Sequence, residues 1–315
     1  MELEIAVLVP CYNEEQAIAK VVGDFKIHVP GCKVFVYDNG SIDRTAEAAA
    51  AAGAIVRREP LPGKGNVVRR MFADVEADVY VLVDGDDTYD AASAPAMIRK
   101  LVSESLDLVT GARSETSPNA YRRGHRFGNW MLTTLVASLF GNRFSDMLSG
   151  YRVLSRRFVK SFPGLSVGFE IETELAVHAL QVRLPIAEIQ TPYRNRPIGS
   201  NSKLKTVSDG VRIFSTIVQL LEAERPLYFF GVLGALFLLA SLVTAYPVVM
   251  EYLHTGLVPR LPTAVLATGL ALIACLNLVC GLILETVTKG RLEMKRMHYL
   301  SIPIRLRAGV HRDGP

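Results

Sequence analysis

Short apolar runs alternate with amphipathic stretches along the first two hundred residues. The apolar runs are rich in β-branched residues, and helical periodicity follows most of them. Strand–helix alternation at this spacing predicts βαβ units, and therefore a mostly parallel sheet with helices on both faces. The expected strands are residues 5–9, 33–37, 54–57, 79–83, 106–111, 146–154 and 187–193. The expected helices are residues 14–25, 43–52, 66–75, 94–103, 129–139 and 170–180.

Two stretches near the C-terminus, residues 227–250 and 261–284, carry no charged side chain. Each would be about 36 Å long as a helix, enough to cross a hydrocarbon core of roughly 30 Å. We therefore expect two transmembrane helices, with a pair of buried core helices as the alternative. Just upstream, the apolar residues of 207–221 fall on one helical face. This pattern predicts an amphipathic helix in the membrane interface, and a core helix packed on the sheet is the competing interpretation.

The basic residues are unevenly distributed around these stretches. The connecting segment 251–260 contains one arginine and no lysine, whereas seven lysines and arginines follow residue 288. By the positive-inside rule, both ends of the chain are expected in the cytosol. No signal-like segment precedes the first expected strand. The expected organisation is a cytosolic catalytic domain at 1–205, an amphipathic helix at 206–226, two transmembrane helices at 227–288 and a basic cytosolic tail at 289–315.

Composition agrees with a membrane-anchored globular domain. Half of the residues are hydrophobic and the mean hydropathy is +0.24, with the excess confined to the two uncharged stretches. The net charge of +4 does not indicate a nucleic-acid partner, because the basic residues gather beside the expected membrane surface. Four cysteines lack metal-site spacing and are expected as free thiols in a reducing compartment.

Polar clusters follow three of the expected strands. The most informative is the acidic group Asp84, Asp86 and Asp87, directly after the apolar run 79–83. Ligands of open α/β sheets bind beyond the carboxyl ends of the strands. Clustered carboxylates at that edge can hold a divalent cation against a phosphate. Segments 9–15 and 37–45 end the other two strands, so all three clusters are expected to line one pocket.

These segments carry a resemblance to a known family. Val9-Pro-Cys-Tyr-Asn-Glu-Glu15, Asp38-Asn-Gly-Ser-Ile-Asp-Arg-Thr45, Gly63-Lys-Gly65 and Asp84-Gly-Asp86 resemble the ordered signature of family 2 glycosyltransferases. Asp146-Met-Leu-Ser-Gly-Tyr-Arg152 and Tyr193-Arg-Asn-Arg-Pro-Ile-Gly-Ser-Asn-Ser-Lys-Leu204 resemble its polyprenyl-phosphate branch. The resemblance covers roughly residues 4–225. Two C-terminal spans are more similar to the bacterial glucosyltransferases of that branch than to its mannose synthases.

The resemblance implies a GT-A fold and inverting, metal-dependent sugar transfer from a nucleotide-sugar to a polyprenyl phosphate at the bacterial inner membrane. UDP-sugars are favoured over GDP-mannose, and the metal is Mg²⁺ or Mn²⁺. Carried over by position, the implied donor-binding residues are Pro10, Tyr12, Glu14, Asp38, Lys64, Asp84 and Asp86, with the last two also binding the metal. The implied acceptor-phosphate residues are Arg122, Arg123, Arg196, Ser202 and Lys203. The residues implied in catalysis are Asp86, Asp146, Arg196 and Lys203.

Two departures from the branch stand out. Asp38-Asn-Gly-Ser replaces the commoner Asp-Gly-Ser, and Thr88-Tyr89 stands where well-known members carry Gln and a His- or Asn-Pro pair. The role of Asp146 stays open between a general base and an orienting residue paired with Arg152 or another basic group.

Other functions are compatible with parts of the pattern. A processive synthase would need a Gln-x-x-Arg-Trp motif, and Trp130, the only tryptophan, is not in one. Transfer to another membrane acceptor such as a glycolipid hydroxyl, or non-enzymatic binding of sugar nucleotides, remains an alternative. Two lone spans per chain favour a homo-oligomer, with a tetramer as one candidate.

Overall fold

The computed structural model describes residues 3–115, 134, 144–168, 170–194, 218–219 and 221–303. The chain divides into two compact units, one made of Met1–Ile213 with Lys295–Pro315 and the other of Phe214–Met294. Residues 129–139, apart from residue 134, and residues 195–217 lie outside the described residues. The second range includes more than half of the expected amphipathic helix at 206–226.

A seven-stranded sheet forms the centre of the first unit. Its strands in chain order are β1 (Ile5–Cys11), β2 (Lys33–Asp38), β3 (Ile55–Arg58), β4 (Val79–Leu82), β5 (Leu108–Glu115), β6 (Arg152–Ser155) and β7 (Ile186–Tyr193). Their spatial order is β3-β2-β1-β4-β6-β5-β7. Strands β3, β2, β1 and β4 run parallel, as do β5 and β7. The mostly parallel sheet predicted from the apolar runs is confirmed.

Strand β6 is shorter than expected and runs antiparallel to both of its neighbours. Only Arg152–Ser155 of the expected strand 146–154 joins the sheet. The preceding residues turn back instead, because the buried guanidinium of Arg152 donates hydrogen bonds to the carbonyl oxygens of Met147 and Ser149. Asp146 is thereby left on a loop beside the sheet rather than within a strand.

Among the described residues of the first unit, six α-helices accompany the strands. They are α1 (Ile18–His28), α2 (Thr45–Ala51), α3 (Lys64–Asp74), α4 (Ala94–Ser103), α5 (Arg156–Ser161) and α6 (Ile171–Val182). Helices α1 and α4 bury Val22, Phe25, Met97 and Leu101 in the same core as the apolar side chains of β1 and β4. Helix α2 begins just after Asp43, whose carboxylate accepts from the backbone N of Thr45 at 3.0 Å.

The last residues of the final helix also belong to the first unit. Tyr299 donates its hydroxyl proton to Asp107 at 2.6 Å, and Arg157 donates to the carbonyl oxygen of Ile302 at 2.9 Å. The Arg157 guanidinium lies 4.7 Å from the centre of the Tyr299 ring. Where a basic tail was expected from residue 289, the helix continues through Ser301.

Two long helices, α7 (Pro226–Thr255) and α8 (Leu261–Ser301), make up most of the second unit. Both are long and apolar enough to cross a membrane. They pack through small side chains spaced seven residues apart, with Gly234 and Ser241 on α7 facing Ala274 and Ala267 on α8. The Ser241 hydroxyl donates to the carbonyl oxygen of Ala267 at 2.7 Å. Most of the remaining apolar side chains of both helices are exposed, as expected for surfaces that contact lipid.

Candidate active site

The ends of β2, β1 and β4 lie side by side at one edge of the sheet. Cys11 at the end of β1 is paired with Asp38 at the end of β2. Asn39 then donates its backbone N–H to the Cys11 carbonyl oxygen at 2.9 Å. Because the three strands are adjacent and parallel, the three polar clusters predicted from the sequence share this edge.

The loops after β1 and β2 are locked together by hydrogen bonds. Asn13 donates its backbone N–H to the Ser41 hydroxyl at 2.9 Å, and Glu14 donates to the Thr45 hydroxyl at 2.8 Å. Both carboxylate oxygens of Asp38 accept from the backbone N of Ser41 at 3.2 Å. The Tyr12 side chain stays 42% exposed beside these loops. An exposed ring of this kind can stack on a base. The neighbouring carboxylate can accept a hydrogen bond from a ribose hydroxyl.

The additional asparagine of the second loop has a clear structural function. Asn39 donates its side-chain amide to the carbonyl oxygens of Glu59 and Leu61, and its own oxygen accepts from the backbone N of Gly63 at 2.7 Å. This departure from the commoner family pattern therefore ties the end of β2 to the Gly-Lys-Gly segment.

The two glycines of that segment allow a second loop to cross it closely. Gly63 has φ +121°, and a Cβ there would lie 2.3 Å from the carbonyl oxygen of Val167. A Cβ on Gly65 would lie 2.1 Å from the Ser166 carbonyl oxygen. The Gly65 backbone N–H, at the start of α3, donates to the Val167 carbonyl oxygen at 2.9 Å. Because the Gly65 amide is already bonded within the protein, it is the Lys64 side chain of this segment that contributes a charge to the site.

Lys64 lies largely buried between two carboxylates. Its ammonium group lies 2.5 Å from Asp84 Oδ1 and 2.5 Å from Glu172 Oε1. Burial alone would lower the pKa of Lys64, but the charges of Asp84 and Glu172 outweigh it and raise the pKa well above its usual range. The lysine is therefore a permanent cation at the acidic edge of the sheet.

Glu172 was not identified from the sequence. It lies in the first turn of α6 and is buried, and among the described residues its Oε2 atom has no hydrogen-bond partner. The local signal was an acidic residue at an inward-facing position of an apolar helix. Without the fold, nothing linked that residue to Lys64, 108 positions earlier.

The three aspartates of the acidic cluster have different surroundings. Asp84 contacts Lys64, and buried Asp86 accepts from the Thr88 hydroxyl at 2.6 Å. Asp87 adopts a left-handed backbone with φ +56° and pairs with Lys20 at 2.7 Å. Asp84 and Asp86 therefore both lie at the edge with a polar partner, while Asp87 pairs with Lys20 on the side of α1.

A glycine brings the loop that carries Asp146 against this cluster. A Cβ on Gly150 would lie 2.5 Å from Asp84 Oδ2, so a side chain at this position would displace the Asp84 carboxylate. Asp146 itself accepts two hydrogen bonds from the Arg113 guanidinium, at 2.6 and 2.7 Å. Its basic partner is therefore Arg113. Arg152 instead donates to backbone carbonyl oxygens, including that of Glu172 at 2.7 Å.

Tyr193 completes the described part of the site. The Arg113 guanidinium lies 5.5 Å from the centre of the Tyr193 ring. Burial raises the pKa of Tyr193, and the negative charge of Asp86 adds to the effect while Arg113 opposes it. The phenol therefore stays protonated and uncharged next to the acidic cluster at neutral pH.

The residues at this edge suit a divalent cation that takes its remaining ligands from a substrate. Asp84 and Asp86 offer hard oxygen ligands, which Mg²⁺ and Mn²⁺ prefer. The described part of the chain contains no group of three histidine, cysteine or acidic residues arranged to hold a metal alone. Two carboxylates completed by diphosphate oxygens and water are a common arrangement for Mg²⁺.

Part of the predicted site cannot be placed. Arg122, Arg123, Arg196, Ser202 and Lys203, which the resemblance assigned to the acceptor, lie outside the described residues. Those that the structure does place, from Pro10 to Asp146, lie at strand ends, in loops or, for Lys64, at the start of α3, at or beside one edge of the sheet.

Comparison with known proteins agrees with this architecture. Residues 6–162 match the model of the family described as Glycosyl transferase family 2. Glycosyltransferase AglJ of Haloferax volcanii is 33% identical over 94% of this chain and 98% of its own length. A dolichyl-phosphate hexose transferase of the same organism is 30% identical over 70% of this chain and 96% of its own length.

A solved structure shares the fold over much of the chain. Glucosyl-3-phosphoglycerate synthase from Mycobacterium tuberculosis, in complex with Mn²⁺, UDP and glucosyl-3-phosphoglycerate, matches with a TM-score of 0.56 and 26% identity. The match covers 70% of this chain and 79% of that chain. The sheet is therefore a GT-A fold. AglJ is 33% identical over nearly the full length of both chains, and the family model matches residues 6–162. The chain therefore belongs to glycosyltransferase family 2 and is a glycosyltransferase.

Proposed function

We propose that this protein transfers a sugar, with inversion, from a nucleotide-sugar to a polyprenyl phosphate at the cytosolic face of a bacterial inner membrane. The donor is a UDP-sugar, with GDP-mannose as the alternative. The observation that carries the proposal is the arrangement of Asp84, Lys64 and Asp86 at the edge of a GT-A sheet, in a chain with two apolar helices. The similarity to a dolichyl-phosphate hexose transferase over 96% of that relative supports the lipid phosphate acceptor.

On the donor side, the loops after β1 and β2 offer Tyr12 to the base and Asp38 to the ribose. Lys64, which contacts Asp84, would supply a positive charge to the diphosphate. The divalent metal supplies further neutralisation of the diphosphate when it is bound by Asp84 and Asp86. Lys64 would exchange part of its contact with Asp84 for diphosphate oxygens as the donor enters.

On the acceptor side, the chemistry needs little proton transfer. A phosphomonoester has a second pKa near 6, so its oxygen is largely anionic at cytosolic pH. That oxygen forms a bond to the anomeric carbon while the bond from this carbon to the diphosphate breaks, and the nucleoside diphosphate leaves with the electron pair. Attack from the opposite face inverts the anomeric centre. The main barrier is repulsion between two phosphates, which Arg196, Ser202 and Lys203, with Arg122 and Arg123, would reduce.

This chemistry suits an orienting role for Asp146. Its carboxylate is paired with Arg113 at two points, so it holds that guanidinium and the loop of residues 146–152 in place. A base to remove a proton is not required when the nucleophile is already a phosphate anion.

We propose the same membrane location for the whole chain, with α7 and α8 as the spans and copies of the chain associating through them.

A donor screen tests the proposal. Purified full-length protein is given undecaprenyl phosphate, Mg²⁺ or Mn²⁺, and labelled UDP-glucose, UDP-N-acetylglucosamine, UDP-galactose or GDP-mannose. Label in an organic-extractable, mild-acid-labile lipid is the expected result, and the donor that gives it names the sugar. Full turnover after thorough chelation would contradict the metal dependence. Donor hydrolysis without lipid labelling would contradict the acceptor and lead to glycolipid hydroxyls as the next acceptors to test.

A further inference from the structure

Thr88 lies directly beside the candidate metal ligand Asp86. Its side chain is 1% exposed and that of Asp86 is 4% exposed. The Thr88 hydroxyl donates to Asp86 Oδ1 at 2.6 Å, and its backbone N–H approaches the same oxygen at 3.3 Å. A hydrogen bond to a buried charged group fixes both the position and the orientation of that group.

The same short loop also holds the end of β7. Arg194 donates its backbone N–H to the Thr88 carbonyl oxygen at 2.8 Å. The neighbouring Tyr89 forms a β-bridge with Tyr193, and their ring centres are 5.3 Å apart. In the sequence, β7 leads directly into the motif assigned to the acceptor phosphate.

Tyr89 extends this connection to the loop that carries Asp146. Its hydroxyl oxygen accepts from the backbone N of Gly150 at 2.8 Å, and its ring centre lies 5.5 Å from that of Tyr151. Thr88 and Tyr89, which depart from the common family pattern, thus contact the acidic cluster, the Asp146 loop and the end of β7.

We propose that Thr88 is a positioning residue that orients Asp86 for the metal and diphosphate while its carbonyl holds the end of β7 next to the donor site. This role depends on the proposed metal-dependent reaction. When a residue that holds a ligating carboxylate in place is removed, metal affinity or activity typically falls by about 10- to 100-fold. The hydroxyl is the part of Thr88 that this role needs, since the backbone contact to Arg194 does not depend on the side chain.

The test compares two replacements of Thr88 in the full-length protein. Thr88→Val keeps the shape but removes the hydroxyl, whereas Thr88→Ser keeps the hydroxyl. Binding of Mn²⁺ in the presence of UDP, and in parallel of GDP, is followed by electron paramagnetic resonance of free Mn²⁺. We expect Thr88→Val to weaken Mn²⁺ binding about 10- to 100-fold, and Thr88→Ser to stay within about threefold of wild type.

Thr110→Val is the matched control. Thr110 is fully buried in β5, and within the described part of the chain its hydroxyl has no hydrogen-bond partner. The same chemical change there should leave Mn²⁺ binding unchanged. Thr88→Ala repeats the test with a smaller side chain should valine distort the loop, and thermal unfolding of every variant checks its fold.

Unchanged Mn²⁺ binding in a folded Thr88→Val protein would overturn the inference alone. Equal losses in Thr88→Val and Thr88→Ser would also overturn it, because the hydroxyl would then not be the cause. No Mn²⁺ binding by wild type with either nucleotide would overturn both this role and the proposed function. Mn²⁺ binding that depends on Thr88, without sugar transfer to undecaprenyl phosphate, would support the role of Thr88 and contradict only the acceptor.

Discussion

Arg113 and Asp146 form a two-point ion pair across 33 residues of sequence, with Nε–Oδ2 and Nη2–Oδ1 distances of 2.6 and 2.7 Å. Both side chains are largely buried. Burial by itself raises the pKa of Asp146, but the hydrogen bonds and charge of Arg113 outweigh it, and the pKa lies below its usual range. The pair is therefore ionised at neutral pH and fixes the loop that Gly150 brings against Asp84.

Removing Arg113 should destabilise the protein in a pH-dependent way. In Arg113→Met, Asp146 stays buried without its partner, which costs about 3–5 kcal/mol at neutral pH. The wild-type carboxylate stabilises the fold above its unfolded pKa of about 3.9 and loses that effect as pH falls through the lower folded pKa. In the variant the pKa of Asp146 rises, so the loss in free energy of unfolding relative to wild type should become smaller in acid.

Denaturant unfolding of the detergent-solubilised variant at pH 7 and pH 4.5 measures this difference. Arg113→Lys is the control that keeps the charge but loses the two-point geometry, and it should be intermediate. A deficit of the same size at both pH values would show that the pair does not act through the charge of Asp146.

The adjacent aspartates 86 and 87 provide a matched comparison of activity. Asp86→Asn should lower kcat about 100-fold or more, because a ligand for the metal–diphosphate unit is lost. The kcat of Asp87→Asn should stay within about twofold of wild type. Asparagine tolerates the left-handed backbone, and the partly exposed pair with Lys20 contributes little to stability. Sugar transfer to undecaprenyl phosphate is the measurement. Similar losses in both variants would contradict the separation of these two carboxylates.

Lys64 should be required for stability in the absence of donor. In Lys64→Met, Asp84 and Glu172 face each other without the cation between them, and breaking a buried pair of this kind costs roughly 3–5 kcal/mol. Thermal unfolding at pH 7 measures the loss. Adding Mn²⁺ should raise the melting temperature of the variant more than that of wild type, because a metal can replace the missing positive charge.

The double variant Lys64→Met/Glu172→Gln is the control for this explanation. It removes one of the two opposing charges and should recover part of the lost stability. No recovery would indicate that Lys64 contributes through packing rather than through its charge.

His178 should make the fold sensitive to mild acid. Burial lowers the pKa of His178 to about 3, and the positive charge of Lys295 acts in the same direction. Below about pH 6.5 the unfolded chain binds a proton there that the native state does not, so the free energy of unfolding falls by up to ~1.4 kcal/mol per pH unit. His178→Leu should flatten this dependence between pH 6.5 and 4.5. The same replacement of exposed His28 is the control, and equal pH profiles for wild type and His178→Leu would exclude the explanation.

Lys203 should act on the acceptor and not on the donor. Lys203→Ala is expected to raise the apparent KM for undecaprenyl phosphate about tenfold, because a charge-assisted hydrogen bond to phosphate is lost. Mn²⁺-dependent UDP binding should be unchanged. Lys100→Ala, at a lysine of α4 paired with Glu104, controls for a general loss of positive charge. An unchanged KM for the lipid would contradict the assignment of Lys203.

The order of apolar and polar residues was sufficient to predict the central strands, the two long apolar helices and the acidic edge of the sheet. These features depend on local patterns, since buried parallel strands need continuous apolar runs and their carboxyl ends meet at one edge. Motif resemblance added the family and pointed to Lys64, Asp84 and Asp86 together. Strand β6 was misjudged in length because the turn before it depends on Arg152, whose partners are backbone carbonyl oxygens that no sequence pattern reveals.

The fold class, the family and the polar segments of the site can therefore be predicted from the amino-acid sequence. The pairing of these segments is visible only in the folded chain: Glu172 with Lys64, Arg113 with Asp146, Thr88 with Asp86, and Asp87 with Lys20 on the side of α1. Hydrophobic periodicity shows only which face of an element is buried. The partner of a buried charge is set by the packing of distant segments, here as far as 108 residues apart.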